Sequence, residues 1–202
     1  MLITTLAVGQ LGTNCYLVKK GGNLYIIDPG DEPQAILDAA RQMGYQQVAV
    51  LLTHAHFDHI GAAGEICRQL ALPHIYLAPG DRELYRSPLN SMPPWFGAVK
   101  DLPETADFEE NPDFTVLAMP GHSPGGSAFV FENDTGGKAV FCGDSVFARS
   151  IGRTDLPGGD HGTLLASIRK NIVTLPGDTV LYPGHGEATT VADEIRYNPY
   201  FK

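Results

Sequence analysis

Apolar residues in this chain fall into short, β-branched runs, and most runs stop at glycine, proline, aspartate or histidine. Alternation of apolar and polar positions predicts strands over 2–8, 14–19 and 24–28, with Gly21-Gly22-Asn23 turning between the last two into a β-meander. Asp28-Pro29-Gly30 breaks that pattern. Ile36, Leu37, Ala40 and Met43 then recur at helical spacing, predicting a helix over 33–43 closed by Gly44. The apolar run 48–52 reads as a buried strand, followed by a helix over about 59–70, a strand over 74–77 and a short helix over 81–85. Residues 87–113 differ: Pro88, Pro93, Pro94, Pro103 and Pro112 preclude long regular elements, while Met92, Trp95 and Phe96 supply bulk. This segment predicts a long ordered excursion, either a substrate-facing lid or a cover for the core. Strands over 114–119, 127–132 and 139–142, a helix over about 160–173, a strand over 179–182 and a helix over about 188–197 complete the chain. Strands followed by helices, twice over, predict an α/β fold in which two mixed sheets form a sandwich with helices on both outer faces. A length of 202 residues fits one large domain, 1–202.

The buried run 48–52 stops at Thr53-His54-Ala55-His56-Phe57-Asp58-His59, three histidines and an aspartate within 54–59. Histidines so crowded beside a buried strand repel one another when protonated and need partners when neutral, so they read as metal ligands rather than as core. His54 and His56 are two apart and can face one side of an extended loop, while Asp58 and His59 open the next helix from another angle. Two ligand pairs in that arrangement can hold two metal ions. Later strands end in the same grammar, an apolar run, a small or rigid residue and then a ligand-type side chain: Pro120-Gly121-His122, Gly143-Asp144 and Pro183-Gly184-His185. His74 and His161 fall outside this grammar and read as structural.

Composition narrows the partners. Fourteen Lys and Arg against 23 Asp and Glu give a net charge of −9, with no basic cluster, which argues against nucleic acid or an acidic membrane surface. Cys15, Cys67 and Cys142 are odd in number and widely spaced, so neither a disulfide framework nor a thiolate metal site is expected. No basic, then apolar, leader opens the chain and no span of membrane length is visible, so the expected location is the cytoplasm. Oligomeric state stays open, because Trp95 and Phe96 could pair subunits or close a pocket.

On His54-x-His56-x-Asp58-His59, with His122, Asp144 and His185 following in order, the chain resembles the metallo-β-lactamase superfamily over its whole length. That resemblance implies a four-layer αββα sandwich. It also implies a first metal on His54, His56 and His122, a second on Asp58, His59 and His185, and Asp144 bridging both. Gly143-Asp144-Ser145-Val146-Phe147, the stretch 150–160, and Tyr182-Pro183-Gly184-His185-Gly186 with Asn198-Pro199 behind it look like the glyoxalase II group of thioester hydrolases. Since the chain stops at Lys202, without the helical domain that supplies glutathione contacts in full-length members, it is most similar to the short single-domain form. The implied cofactors are two divalent ions, zinc ahead of iron or manganese, since imidazole and carboxylate donors suit all three. The implied reaction is attack on a small-molecule thioester such as S-lactoylglutathione by a metal-bridging hydroxide, with Asp58 and Asp144 as the catalytic carboxylates. Asp28, at a strand end before Pro-Gly, is expected to anchor a ligand histidine or to form a simple turn. Arg153 and Asp155 are expected to form a structural ion pair, and Cys142 to behave as a small buried apolar residue. The chain also resembles iron-dependent persulfide dioxygenases of the same scaffold, which would use a single iron on His54, His122 and Asp144.

Overall fold

A computed structural model describes residues 1–201, and the chain divides into two compact units, Met1–Phe108 and Glu109–Lys202. In the first unit the elements are β1 (Leu2–Val8), β2 (Thr13–Lys20), β3 (Asn23–Ile27), α1 (Pro33–Met43), β4 (Gln47–Leu51), α2 (Phe57–Ile60), α3 (Ala63–Leu70), β5 (Ile75–Tyr76), α4 (Arg82–Arg86) and β6 (Thr105–Ala106). They form a mixed sheet of order β1-β2-β3-β4-β5-β6. The first three strands are an antiparallel meander; β4, β5 and β6 add in parallel. The switch from antiparallel to parallel needs a crossover, and α1 supplies it. Pro33 sits in its first turn, where a missing N–H is harmless, and Gly44 ends it at φ +64°. Ile36, Leu37 and Ala40 of α1, with Ile66 and Cys67 of α3, pack into one core with Leu17, Leu24, Ile26, Val50 and Leu52. Each such fully buried aliphatic contributes about 1.5–3 kcal/mol of transfer free energy.

The second unit holds β7 (Phe114–Ala118), β8 (Ser127–Glu132), β9 (Lys138–Gly143), β10 (Val146–Phe147), β11 (Ser150–Ile151), α5 (His161–Asn171), β12 (Val180–Pro183), β13 (Thr189–Thr190) and α6 (Val191–Tyr197). Its sheet runs β13-β12-β9-β8-β7, with β12 and β9 parallel and the other pairs antiparallel; β10 and β11 form a separate hairpin. Leu164 and Ile168 of α5 and Val191 of α6 pack with Ala128, Val140, Cys142 and Leu181. The α/β class and the two mixed sheets agree with the sequence pattern.

Several boundaries differ from the pattern, each for a local reason. Helical spacing over 59–70 predicts one helix, whereas Gly61 and Ala62 interrupt it between α2 and α3. There the Gly61 backbone packs on the Gly30 carbonyl, so closely that a Cβ on Gly61 would overlap that oxygen. The strand expected over 74–77 shrinks to two residues, and β6, β10, β11 and β13 are two-residue strands too short to carry a period. Among the described residues no helix is long and apolar enough to cross a membrane.

Candidate metal centre

Where β4 ends, Leu52 N–H still donates to the Tyr76 carbonyl (2.9 Å), and the chain then turns through Thr53–His56 into α2. His54, His56 and His59 are all buried there, His59 completely (0% exposed). The His54 ring lies 4.7 Å from that of His56 and 4.1 Å from that of His59, centroid to centroid. Such crowding is tolerable only for neutral imidazoles whose N–H groups are matched.

Asp28 performs that matching. It follows β3 at φ +52°, a left-handed conformation that aspartate tolerates, and its carboxylate is buried. Oδ1 accepts the Thr53 N–H at 2.7 Å, and Oδ2 accepts the Thr53 hydroxyl at 2.5 Å. His59 Nδ1 stands 2.9 Å from the same Oδ2, and since an ionised carboxylate only accepts, Nδ1 carries the proton. The Thr53 hydroxyl proton being directed at Asp28, its oxygen accepts from His54 Nδ1 at 3.0 Å. His54 and His59 are thereby held in the tautomer whose lone pair is on Nε2. Asp28 is therefore the anchor expected from its place at the strand end. Ligand-type atoms of Asp28, His54 and His59 lie within 4.8 Å of one another.

Asp58 stands in the first turn of α2 with Oδ2 3.6 Å from His59 Nε2. Its orientation comes from a residue that the sequence pattern does not single out: the buried Thr13 hydroxyl donates to Asp58 Oδ2 at 2.9 Å. The Asp28-Pro29-Gly30 turn is pressed against this helix. Pro29 O accepts the Ala62 N–H at 2.9 Å, and a Cβ on Gly30 would overlap the Asp58 carbonyl. Asp58 lines a cavity of about 230 Å³, together with Leu11, Thr13, Phe57, Phe96 and Val99. Phe57 and Phe96 stack at 4.8 Å. Of the proline-rich segment, Phe96 and Val99 line the cavity, while Val99 and Leu102 also pack on the core, the covering role expected as one of its two alternatives.

The second unit carries the other three expected residues. After β7, Pro120-Gly121 turns the chain so that His122 is buried; Gly121 has φ +130° and lies against the start of α5, where a Cβ would overlap Leu164. His122 Nδ1 is 2.7 Å from the Arg153 carbonyl, which can only accept, so His122 also presents Nε2 as its basic nitrogen. Gly152, just before Arg153, has no room for a side chain: a Cβ would overlap the Asp144 carbonyl and come 3.1 Å from His122 Nδ1. Asp144 follows Gly143, which turns at φ +49°, and Gly184 N–H donates to the Gly143 carbonyl at 2.9 Å, bringing the end of β12 alongside. Asp144 Oδ2 consequently lies 3.6 Å from both His122 Nε2 and His185 Nε2.

Arg153 and Asp155 form the expected ion pair, bidentate at 2.7 Å, and the Arg153 guanidinium holds the Asp155 carboxyl down at about 2. Cys142 is buried, its thiol pushed up to about 12 mainly by that burial, in keeping with a small apolar filler. His74 packs edge-on to Tyr76, and the His161 ring lies 6.2 Å from that of Tyr200. Buried imidazoles and carboxylates without thiolate are donors that fit a divalent zinc, iron or manganese ion.

A family model described as Metallo-beta-lactamase superfamily matches residues 8–185. A probable metallo-hydrolase of Streptococcus pyogenes serotype M6 is 34% identical over 203 residues, spanning 94% of this chain and 86% of that protein. Hydroxyacylglutathione hydrolase GloC of Haemophilus influenzae is 32% identical over 214 residues, spanning 99% of this chain and 98% of that protein. Among solved structures, TTHA1623 in a di-iron-bound form is similar with a TM-score of 0.88 and 40% identity, over 98% of this chain and 99% of that one. The BLEG-1 B3 metallo-β-lactamase is similar with a TM-score of 0.88 and 33% identity, over the whole of both chains.

Proposed function

Because the chain belongs to the metallo-β-lactamase superfamily of metallo-hydrolases and has its α/β fold, we propose that it hydrolyses thioesters of the S-lactoylglutathione type with two divalent metal ions, zinc ahead of iron or manganese. In this reading His54, His56 and His122 would hold one ion and Asp58, His59 and His185 the other, with Asp144 assigned to both. When bound, the ions supply Lewis acidity toward a carbonyl oxygen and lower the pKa of a coordinated water. The chain's own residues prepare for this. Thr53, Asp28 and the Arg153 carbonyl take the Nδ1 protons of His54, His59 and His122, so three imidazoles keep Nε2 as the basic nitrogen without rearrangement. Thr13 holds the Asp58 carboxylate at the wall of the cavity, where it can orient a nucleophile toward a bound acyl group. A thiolate leaves without protonation, so no general acid is required of the remaining residues.

The observation that carries the reading is that Nδ1 of His54, His59 and His122 each meets an oxygen of the protein, at 3.0, 2.9 and 2.7 Å, an arrangement that leaves Nε2 of all three as the basic nitrogen. GloC, a hydroxyacylglutathione hydrolase similar over nearly its full length, supports the thioester as substrate class, and the di-iron form of TTHA1623 supports a dinuclear centre. The cavity lining contributes Asp31 and Asp58 and no lysine or arginine, which suits the acyl end of a thioester better than the carboxylates of glutathione. Three free, buried thiols suit the cytoplasm, and the net charge of −9 suits a small-molecule substrate rather than nucleic acid or a membrane surface.

The test is to purify the protein without added metal, measure zinc, iron and manganese per chain, and assay S-lactoylglutathione and, under oxygen, glutathione persulfide. About two metals per chain, with thioester cleavage lost in Asp144→Ala, is the expected result. One iron per chain with oxygen uptake and no thioester cleavage would overturn it in favour of the mononuclear dioxygenase.

A further inference from the structure

Asp81 closes the short 3-10 turn Pro79–Asp81 ahead of α4, and its side chain makes no capping hydrogen bond to that helix. It is nevertheless completely buried (0% exposed), and a carboxylate taken out of water is retained only where it is hydrogen-bonded to something that needs it. Its Oδ2 accepts the Ala55 N–H at 2.9 Å, from a residue 26 positions earlier. Ala55 is itself fully buried and lies between His54 and His56. Two carboxylates from different elements thus grip alternate amides of the histidine loop: Asp28 takes Thr53 N–H at 2.7 Å and Asp81 takes Ala55 N–H.

We propose that Asp81 is the positioning residue for His54 and His56. By fixing the peptide between them it sets the direction in which both imidazoles leave the backbone. Asp28 holds the loop at Thr53 and from His59, and Asp81 adds a separate anchor at Ala55, between the two histidines. The inference rests on the ligand assignment proposed above, and predicts that Asp81 acts on metal affinity rather than on the chemistry. Partners that orient metal ligands from outside the coordination shell typically alter affinity 10- to 100-fold.

The wild-type protein, Asp81→Ser, Asp81→Asn and Asp81→Glu are stripped of metal and titrated with zinc against a chromophoric chelator, and the Tm of each metal-free form is measured. Asp81→Ser, too short to reach Ala55, is expected to weaken zinc binding about 10- to 100-fold. Asp81→Asn keeps an oxygen acceptor at the same reach and is expected to stay within about threefold of wild type. Asp81→Glu keeps the charge but pushes the peptide aside, so it is expected to bind at least tenfold more weakly even if Asp81→Ser does not fold. Zinc affinities within twofold of wild type, with only Tm lowered, would overturn the inference, as would Asp81→Asn binding no better than Asp81→Ser. A wild-type chain that takes up no zinc overturns the ligand assignment and the inference with it, whereas wild-type binding unchanged in the Asp81 variants overturns the inference alone.

Discussion

Asp58 and His59 are adjacent, yet each is oriented by a residue far away in the chain, Thr13 for the first and Asp28 for the second. The two differ in how legible they are. Asp28 ends an apolar strand and precedes Pro-Gly, a place where a carboxylate either turns the chain or reaches a neighbouring strand end, and the latter occurs. Thr13 opens β2 with nothing beside it to mark it, and a hydrogen bond across 45 positions leaves no trace in local spacing. Asp81 is hidden for the same reason. The Thr13 hydroxyl is buried and donates to a charged acceptor, a contact worth about 1.5–3 kcal/mol. Thr13→Val, nearly the same shape, is therefore expected to lower the unfolding free energy of the metal-free protein, read from the shift in its urea midpoint, by an amount in that range. Within the proposed centre it is expected also to weaken the second metal about tenfold. An unchanged midpoint would show that the hydroxyl finds water equally well in the unfolded chain and does no structural work.

At the scale of elements, strand ends are readable because an apolar run must stop where the backbone turns, and glycine or proline marks the turn. Gly121 and Gly143 at positive φ confirm that reading at His122 and Asp144. Helix α5 shows how an element is tied to such a turn. Asp160 N–H donates to the Gly121 carbonyl at 2.8 Å, while its side chain caps the helix by accepting Thr163 N–H at 2.7 Å. The bond to Thr163 holds the Asp160 carboxyl below the usual carboxylate range. A folded pKa depressed below its unfolded value gives stability that is full above the unfolded value, 3.8, and is lost as pH falls through the folded value. Asp160→Ala is accordingly expected to lower Tm at pH 7, with the gap to wild type closing below about pH 4. Asp160→Asn, which caps without titrating, is expected to keep more of the wild-type Tm at pH 7 than Asp160→Ala, its smaller gap to wild type shrinking over the same pH range. A gap that stays constant to pH 2 for Asp160→Ala would show that the charge of the Asp160 carboxylate adds nothing to its cap.

For the whole molecule, the seven expected ligands fall into two sets, four on the loop after β4 and the helix α2 that follows it, and three at the ends of β7, β9 and β12. Residue types and strand-end positions make both sets legible. The two-residue strands and the break between α2 and α3 are not legible, because they depend on backbone packing such as Gly61 on Gly30 rather than on periodicity. If both sets serve one pair of ions, as proposed, metal binding is linked to the folding of both compact units. Free metal at a hundred times Kd then adds about 2.7 kcal/mol per site by mass action. For a chain of 150–250 residues each kcal/mol moves Tm by about 2–4 °C. Removing the metal with a chelator is therefore expected to lower Tm by at least about 5 °C, and returning zinc to restore it in proportion to its logarithmic concentration. Native-state hydrogen exchange sharpens the test. Amides of β4 in the first unit and of β9 in the second are both expected to exchange faster in the metal-free protein, because the loops they carry lose a common anchor. Acceleration confined to β4 would mean that the histidine loop binds metal without Asp144, and the bridging role given to that carboxylate would fall.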